Sequence, residues 1–370
     1  MENAALGFYG SFFSGKRIVV TGGVGSVGAE LVAQLLAFDV NLVRVIDNNE
    51  SALFDMEQHY RAEKRVEFFH CDICDEREMM RTFAEMDLCF HAAALKHVPS
   101  CERSPFSAVN VNILGCEVVG RAALANNLQK VLFTSSDKAV NPTNVMGTSK
   151  LMGERLFTAM NFLQARGSHT VFASTRFGNV LGSRGSVVPL FCRQIAEGGP
   201  VTVTDARMTR FVMTLQEAAL LVIESMAHAI GGEVFITKMP VLRIQDLAAA
   251  LIDRVAPLHG LSPDAMKIAY SGARPGEKLW EELSTDEEAR RILESERFLV
   301  VLPATSTEME RARYVYHDLD MSRSSIIYHS DQEPKMDRAM ITAFIERPGV
   351  LPEALRTVAR PTRPSLRSAG

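Results

Sequence analysis

A carboxylate and an amine, Asp137 and Lys138, lie side by side directly after a predicted strand over residues 130–136. Ligands of open α/β sheets bind at the carboxyl ends of the strands, so this position suits a general acid and a general base. Burial under a bound substrate would raise the pKa of the carboxyl group and lower the pKa of the amine, whereas their mutual attraction would oppose both shifts. A solvated pair in a surface turn is the alternative.

Three glycines lie in a loop that leaves a predicted strand and opens a predicted helix. This context is typical of a dinucleotide-binding turn, because Gly22 permits the tight turn, Gly25 lets the backbone approach a pyrophosphate, and Gly28 lets the helix pack closely. The helix N-terminus adds free N–H groups and the positive end of a dipole. A plain strand–helix turn is the alternative. The residues expected to contact the dinucleotide here are Gly22, Gly25, Ser26, Val27 and Gly28.

Two further carboxylates follow the next two predicted strands. Asp47, about 20 residues beyond the turn, is placed to bind the ribose diol of the adenosine, which favours NAD and repels the 2′-phosphate of NADP. Asp72 is a candidate acceptor for the adenine amino group. For both residues the alternative is a helix or turn cap.

Short apolar runs alternate with amphipathic stretches in the first half of the chain. This alternation predicts the α/β class, with a doubly wound parallel sheet and helices on both faces. The predicted strands cover residues 17–21, 42–46, 66–73, 88–94, 130–136 and 171–177, and the predicted helices cover residues 26–38, 50–63, 76–85, 106–126 and 147–166. Beyond about residue 180 the pattern predicts short strands and helices over residues 216–230, 244–256 and 280–293.

Composition narrows the class of protein. The chain has 370 residues, of which 47% are hydrophobic and 23% charged, and its formal net charge is −4. These values are typical of a globular protein and argue against a dedicated nucleic-acid binder. The sequence has no run of about 18 uncharged apolar residues, which would predict a membrane span. The N-terminus lacks the basic region that is typical of a signal peptide. Scattered cysteines, with a single CxxC pair at Cys71 and Cys74, indicate a reducing cytoplasm and no zinc site.

Motifs along most of the chain resemble those of the extended short-chain dehydrogenase/reductase superfamily. Within it, residues 15–290 are similar to the nucleotide-sugar 4,6-dehydratases that act on UDP-N-acetylglucosamine, a polysaccharide biosynthesis protein family. The motifs that carry the resemblance are VTGGVGSVG from residue 20, DNNE from 47, AAALKHVP from 92, SSDKAVNPTNVMGTSK from 135, RFGNVLGS from 176, MTRFVMT from 208 and RPGEK from 274.

The resemblance implies a division of the chain. A Rossmann domain that binds NAD would cover residues 14–178, and Ala92 and Ala93 would contact the cofactor there. A nucleotide-sugar-binding region would cover residues 179–350, with some chain returning to the Rossmann core. Residues 351–370 are expected to form a frayed tail.

The resemblance also implies a reaction: oxidation of the sugar at C4, loss of water across C5–C6, and return of the hydride to C6. Asp137 would protonate the departing C6 hydroxyl, and Lys138 would remove the C5 proton. Ser136 would bind the C4 oxygen, and Lys150 would hold the nicotinamide ribose. An exposed helix lysine is the alternative for Lys150.

The chain departs from the superfamily pattern at Met146, where a tyrosine usually takes the C4 hydroxyl proton. Methionine has no ionisable proton, and its sulfur is a weak acceptor. Some 4,6-dehydratases carry the same methionine, so its presence does not imply inactivity. The C4 proton would then go to Asp137, Lys138 or a water molecule.

Charged and polar residues in the matching motifs are the candidates for binding the sugar and its diphosphate. Arginine suits the diphosphate because its guanidinium group offers planar, bidentate donors. A solvated charge, or for His97 a structural histidine, is the alternative. The candidates are Lys96, His97, Asn179, Arg184, Arg210, Arg274 and Glu277.

Several readings stay open. The substrate is UDP- or GDP-N-acetylglucosamine, and C5 is either retained or inverted. A 4-epimerase would share the fold, and a scaffold that binds NAD without catalysis would explain Met146. The resemblance further implies a homo-oligomer formed through the helices near 106–126 and 147–166, and we expect no nucleic-acid or membrane partner.

Overall fold

The fold is built on one ten-stranded sheet in a computed structural model that describes residues 2–164, 169–273, 276–304, 307–316 and 319–356. The strands are β1 Arg17–Thr21, β2 Leu42–Asp47, β3 Val66–His70, β4 Leu88–His91, β5 Lys130–Thr134, β6 Val171–Arg176, β7 Asn179–Val180, β8 Val201–Val203, β9 Thr209–Met213, β10 Val234–Thr237, β11 Val241–Arg243, β12 Ile268–Tyr270, β13 Ile292–Glu294, β14 Phe298–Val301 and β15 Ser322–Ser324. The large sheet has the order β15-β13-β14-β10-β6-β5-β4-β1-β2-β3.

Seven strands of this sheet, β1 to β6 and β10, run parallel, and β14, β13 and β15 extend it antiparallel. The predicted doubly wound α/β sheet is therefore confirmed. The chain reverses its winding between β1 and β4, which pair directly, so the carboxyl ends of these strands border a crevice. Strands β10 and β13 to β15 belong to the second half of the chain, yet they complete the same sheet. The division at residue 178 stays a prediction.

Helices cover both faces of the sheet, which explains why its inner strands are apolar almost throughout. The α-helices are α1 Glu2–Phe13, α2 Ser26–Leu35, α3 Glu50–His59, α4 Glu76–Thr82, α5 Val98–Arg103, α6 Pro105–Val109, α7 Gly115–Ala125, α8 Val145–Met160, α9 Val187–Ala196, α10 Leu215–His228, α11 Ile244–Val255, α12 Glu308–Arg311, α13 Arg338–Ile345 and α14 Glu353–Arg356. Short 3₁₀ turns form at Asp137–Ala139, Ala256–His259, Pro263–Ala265 and Glu288–Arg291.

A π-helical turn, Asn110–Leu114, joins α6 to α7. The continuous stretch Pro105–Ala125 is long and apolar enough to cross a membrane by length and composition, and 44% of its most apolar window is buried inside the fold. Glu117 and Arg121 interrupt the stretch, so it is not an uncharged apolar run of the kind that predicts a membrane span from sequence.

The helix predicted over residues 280–293 is wrong. A 3₁₀ turn, Glu288–Arg291, and strand β13 occupy the end of this segment. Thr285 and Glu288 bind each other through side chain and backbone, which closes a short turn. The Glu288 carboxylate then binds the fully buried Arg176 at 2.8 Å, and this ion pair fixes the segment against the sheet.

A second hydrophobic core lies beside the sheet and supports the other side of the crevice. Helices α9, α11 and α13 supply most of it, with Phe191, Leu251 and Ile341 among its buried side chains. Leu351, at the start of the predicted tail, is buried in the same core. Residues 357–370 lie outside the described residues.

Candidate active site

The glycine turn after β1 has a shape that only glycine allows at two positions. Gly22 has a φ of +67°, and a Cβ there would lie 2.5 Å from the backbone nitrogen of Ala93. A Cβ on Gly28 would collide with the carbonyl oxygen of Gly22. The helix α2 begins directly behind Gly25, which is its N-cap and has no side chain to satisfy the first N–H groups. The turn therefore offers a pyrophosphate both close approach and free donors.

The two carboxylates predicted to select the nucleoside lie at the ends of neighbouring strands, β2 and β3. Asp47 accepts from the backbone N–H of Val24 at 3.3 Å and from that of Asn49 at 3.1 Å. Asp72 accepts from the backbone N–H of Cys74 at 2.9 Å, which lowers the pKa of the Asp72 carboxyl. Both residues thus act as turn caps, and Asp47 is at the same time tied to the glycine turn.

Lys150 is buried in α8 behind the same crevice. Its Nζ donates to the carbonyl oxygen of Thr134 at 2.8 Å and lies 4.6 Å from the centre of the Phe133 ring. Burial lowers the pKa of Lys150 to about 8, although the neighbouring Cys116 and Glu154 oppose this shift. The amine therefore changes charge near pH 8.

Met146, one helical turn before Lys150, is buried in a small apolar cluster with Cys101 and Ala108. Beside it, Ser149 and Asn112 form a polar contact at 2.9 Å, and Asn112 also binds both backbone groups of Leu95. The π-helical turn places Asn112 for this contact. The amide thus fixes the loop after β4 against α8.

The catalytic candidates lie on the 3₁₀ turn after β5. The Lys138 ammonium donates to both oxygens of Asp137, at 3.0 and 3.2 Å, and the Ser136 hydroxyl donates to Asp137 Oδ1 at 2.5 Å. A Cβ on Gly147 would collide with the Lys138 carbonyl oxygen, so the first turn of α8 packs directly on this segment. The Asp137 side chain is thus buried and paired with Lys138, whose own side chain is 31% exposed.

Sequence reasoning missed a third ionisable group, Glu281. Its carboxylate accepts from Lys138 Nζ at 3.2 Å, from Arg210 Nε at 3.1 Å and from Asn179 Nδ2 at 2.7 Å. Glu281 is only 4% exposed. Its one local signal is that it follows Glu277 of the matched RPGEK segment by four residues. This signal does not distinguish Glu281 from the adjacent Glu282.

The pKa values of Asp137, Lys138 and Glu281 depend on burial and on the charges that these residues exert on one another. Burial acts to raise the pKa of Asp137, but the Lys138 ammonium and several hydrogen bonds outweigh it and hold that pKa well below its usual range. Burial acts to lower the pKa of Lys138, but Asp137 and Glu281 raise it to about 12. For Glu281, burial and the adjacent Asp137 charge raise the pKa to about 7. Without a ligand, mutual attraction therefore wins over burial for Asp137 and Lys138.

A cavity of about 250 Å³ opens over these groups. Five of the predicted substrate residues line it. Of the other two, Arg184 does not belong to the lining, and Arg274 lies outside the described residues. Arg210 faces Glu281 and three backbone carbonyl oxygens. The lining residues are Lys96, His97, Val98, Pro99, Asp137, Lys138, Asn144, Asn179, Arg210, Gly276, Glu277, Lys278 and Glu281.

Arg184 lies over the glycine turn instead. Its backbone N–H donates to the Ser26 hydroxyl at 3.2 Å, and its guanidinium group donates to the Val24 carbonyl oxygen. Lys96 Nζ binds the Arg184 carbonyl oxygen at 3.0 Å. The loop around Arg184 thus connects the dinucleotide turn with the wall of the cavity.

Comparison with known proteins gives a consistent family. The sequence profile described as "Polysaccharide biosynthesis protein" matches residues 18–303. The chain is 44% identical over 310 residues to an uncharacterized membrane protein of Methanocaldococcus jannaschii, covering 84% of this chain and 92% of the relative. It is 33% identical over 329 residues to a UDP-N-acetylglucosamine 4,6-dehydratase (inverting) of Campylobacter jejuni, covering 87% and 95%.

Other relatives carry different names. A UDP-glucose 4-epimerase of Rickettsia bellii is 36% identical over 306 residues, covering 82% of this chain and 87% of the relative. The chain spans about half the length, 45%, of the capsular polysaccharide biosynthesis protein CapD of Staphylococcus aureus, to which it is 42% identical. Among solved structures, Pen from Bacillus thuringiensis superposes with a TM-score of 0.83 at 37% identity, covering 90% of this chain and 98% of that one.

Proposed function

The chain belongs to the polysaccharide biosynthesis protein family of the extended short-chain dehydrogenase/reductases, and on that premise we propose that it is an NAD-dependent 4,6-dehydratase of UDP-N-acetylglucosamine. One observation carries the proposal: the acid–base pair Asp137–Lys138 lines a cavity at the carboxyl edge of the sheet. The dinucleotide turn lies at the same edge. A relative named for this activity aligns over 87% of the chain.

The residues present fit NAD. The turn at Gly22 and Gly28 leaves room that a Cβ would fill, Asp47 at the end of β2 would bind the adenosine ribose, and Lys150 in α8 would hold the nicotinamide ribose. When bound, NAD would accept a hydride from C4 of the sugar and later return it to C6. Asp47 would disfavour the 2′-phosphate of NADP by charge repulsion.

Asp137 would act twice. Its lowered pKa keeps Asp137 ionised in the resting site, so the carboxylate is free to accept the C4 hydroxyl proton, a role for which Met146 has no suitable group. The Ser136 hydroxyl, 2.5 Å from Asp137, would bind the C4 oxygen during this transfer. Asp137 would then give the same proton to the C6 hydroxyl, which leaves as water.

Lys138 would be the base at C5. Its neutral amine would remove the C5 proton, which the C4 ketone acidifies. When C6 receives its hydride, return of a proton from the resulting ammonium to the same face would retain the C5 configuration, and protonation of the opposite face would invert it. The proton that leaves in the water comes from the C4 hydroxyl, the hydrogen of C4 moves as a hydride to C6, and the C5 proton is replaced, so the cycle closes without a net change in the protein.

The test is the structure of the product. We would incubate the protein and NAD with UDP- and GDP-N-acetylglucosamine separately and record NMR spectra. A new C6 methyl group together with a C4 ketone or its hydrate, formed from the UDP sugar, supports the proposal, and the C5 configuration decides between retention and inversion. An unchanged sugar in both reactions would contradict it and favour a non-catalytic NAD-binding scaffold, whereas turnover of the GDP sugar alone would correct the substrate.

A 4-epimerase is the second candidate, because relatives with that name align over 82% of the chain. An epimerase needs acid–base chemistry only at C4 and would leave the C6 hydroxyl in place. The pairing of Lys138 with a second proton-transfer group favours the dehydratase. In the same NMR experiment a C4 epimer without a methyl signal would identify the epimerase.

We also propose that the protein acts in the cytoplasm as a homo-oligomer. All six cysteines are free, in keeping with a reducing compartment. Large apolar side chains are exposed on the helices expected to pair: Phe106 is 82% exposed, Leu114 46% and Met152 44%. Light scattering of the purified protein tests the oligomer, and a monomer at micromolar concentration would contradict it.

A further inference from the structure

Glu281 lines the cavity, but the roles proposed for Asp137 and Lys138 do not involve it. Its carboxylate is buried and bound by three side chains, among them the Lys138 ammonium at 3.2 Å. Its backbone N–H donates to the Ser330 hydroxyl at 2.9 Å, and Ser330 binds Thr209 at 2.8 Å. Contacts to both the side chain and the backbone of Glu281 therefore fix the position of its carboxylate.

The groups that face Glu281 come from three different elements. Asp137 and Lys138 come from the turn after β5, Arg210 from β9, and Asn179 from β7. Two carboxylates and two cations thus lie within one contact network, and their formal charges cancel. Such a balanced set can move a proton internally without creating a net charge in the cavity.

We propose that Glu281 is a positioning residue that accepts the ammonium proton of Lys138 and so frees the Lys138 amine to act as the base at C5. This inference rests on the proposed dehydratase activity. The need for it follows from the geometry, because Asp137, the other acceptor in contact with Lys138, already holds the proton taken from the C4 hydroxyl at that stage.

The proton balance of the step is closed. After oxidation at C4, Asp137 is neutral and no longer stabilises the ammonium, so an N–H bond of Lys138 breaks and an O–H bond of Glu281 forms. Lys138 then takes the C5 proton while Asp137 releases its proton to the leaving hydroxyl. After the proton has returned to C5, Glu281 gives its proton back to Lys138. No oxidant, reductant or further reactant is required.

The pH dependence follows from the raised pKa of Glu281, about 7. Glu281 must be ionised in the resting state to accept a proton, and its ionised fraction increases as the pH rises through that value. Asp137 adds to the raised pKa, whereas Lys138 and Arg210 oppose it. We therefore expect kcat/KM to rise with pH through about 7 and to fall again above about 8, where Lys150 loses its charge.

The test uses three variants of the full chain. Glu281→Gln keeps the shape and one accepting oxygen, which can retain the contact to Arg210 or to Asn179 but not both, and it cannot accept a proton. We expect its kcat to fall ~10²-fold, with little change in KM, and the rise near pH 7 to disappear. Glu281→Asp restores a carboxylate and should recover part of kcat together with a pH-dependent rise. The matched control is Glu282→Gln, since Glu282 pairs with Lys278 and Asn141 outside this network.

Infrared spectroscopy gives a readout that does not depend on turnover. The wild type should show a protonated carboxyl band that titrates near pH 7, and Glu281→Gln should lack it. Lys138→Met should move the midpoint of this band upward, because the ammonium lowers the pKa of Glu281. An unchanged kcat and pH profile in Glu281→Gln, or no titrating band in the wild type, would overturn the inference. A wild type that shows the band but acts on neither sugar nucleotide would overturn the proposed function and, with it, the assignment of Glu281 to a C5 base.

Discussion

The Lys138 ammonium nitrogen lies 3.2 Å from a carboxylate oxygen of Glu281, although 143 positions separate the two residues in the chain. Lys138 follows a strand of the parallel sheet, and Glu281 belongs to the half of the chain that closes over it. The acid–base set is therefore complete only when both halves of the chain are folded together. This arrangement leads to predictions that separate the steps of the proposed reaction.

Replacing Lys138 by methionine should block elimination and leave binding intact. Methionine keeps much of the apolar stem but has no amine, and loss of a general base typically costs ~10²–10⁴-fold in rate. Exchange of the C5 proton with solvent deuterium, measured by NMR, should fall by a similar factor. Exchange at the wild-type rate would show that another group is the C5 base.

Replacing Asp137 by asparagine should stop the reaction at its first step. The amide keeps the shape and the contact with Ser136 but cannot accept the C4 hydroxyl proton. We expect NAD and sugar nucleotide to bind with affinities close to those of the wild type and no reduced coenzyme to be seen by near-ultraviolet absorption. If reduced coenzyme accumulates instead, Asp137 acts only in the elimination, and another group accepts the C4 proton.

Replacing Gly28 by alanine should disrupt the dinucleotide turn, because the added Cβ collides with the Gly22 carbonyl oxygen. Overpacking of this kind costs ~1–3 kcal/mol of stability and here displaces the backbone that faces the pyrophosphate. Calorimetry should show a loss of NAD affinity. The control is Gly10→Ala in α1, where a Cβ meets nothing within 4 Å and affinity should not change. Equal affinities in both variants would contradict the placement of the cofactor.

The first half-reaction should slow as the pH rises through about 8. The Lys150 ammonium is the charged form, and burial lowers its pKa to about 8, so the charge is present below that value and lost above it. In stopped-flow measurements of coenzyme reduction, Lys150→Met should be slow and should lack this dependence.

Lys130→Met is the control for Lys150. Burial also lowers the pKa of Lys130 to about 8, but its Nζ binds backbone carbonyl oxygens at the end of α10 rather than the crevice. This variant should lose thermal stability and keep the pH dependence. Loss of the dependence in Lys130→Met, or its persistence in Lys150→Met, would show that Lys150 is not its source.

The parallel sheet could be predicted from sequence because its inner strands are short apolar runs, buried on both faces, between stretches of helical pattern. The segment 280–293 could not, since its residues have a helical pattern but are fixed by distant contacts. Glu288 binds Arg176, more than 100 positions away in the chain, and this pair overrides the local preference. Such a tertiary contact leaves no signal in a local window of sequence.

The site was predictable where a motif is contiguous, as in Ser136-Asp137-Lys138. Two features were not. Whether attraction or burial sets the pKa of Asp137 depends on distances that a sequence does not contain, and attraction wins because Lys138 makes contacts of 3.0 and 3.2 Å. Glu281 had no motif of its own to distinguish it from the adjacent Glu282.

The measurement that tests the proposed dehydratase most directly follows an isotope from C4. UDP-N-acetylglucosamine deuterated at C4 would be converted with the protein and NAD in ordinary water, and the product examined by NMR and mass spectrometry. We predict that the deuterium appears at C6, as a methyl group carrying one deuterium, within the same sugar molecule. Deuterium that returns to C4, or remains there in a sugar that still carries its C6 hydroxyl, would contradict the account.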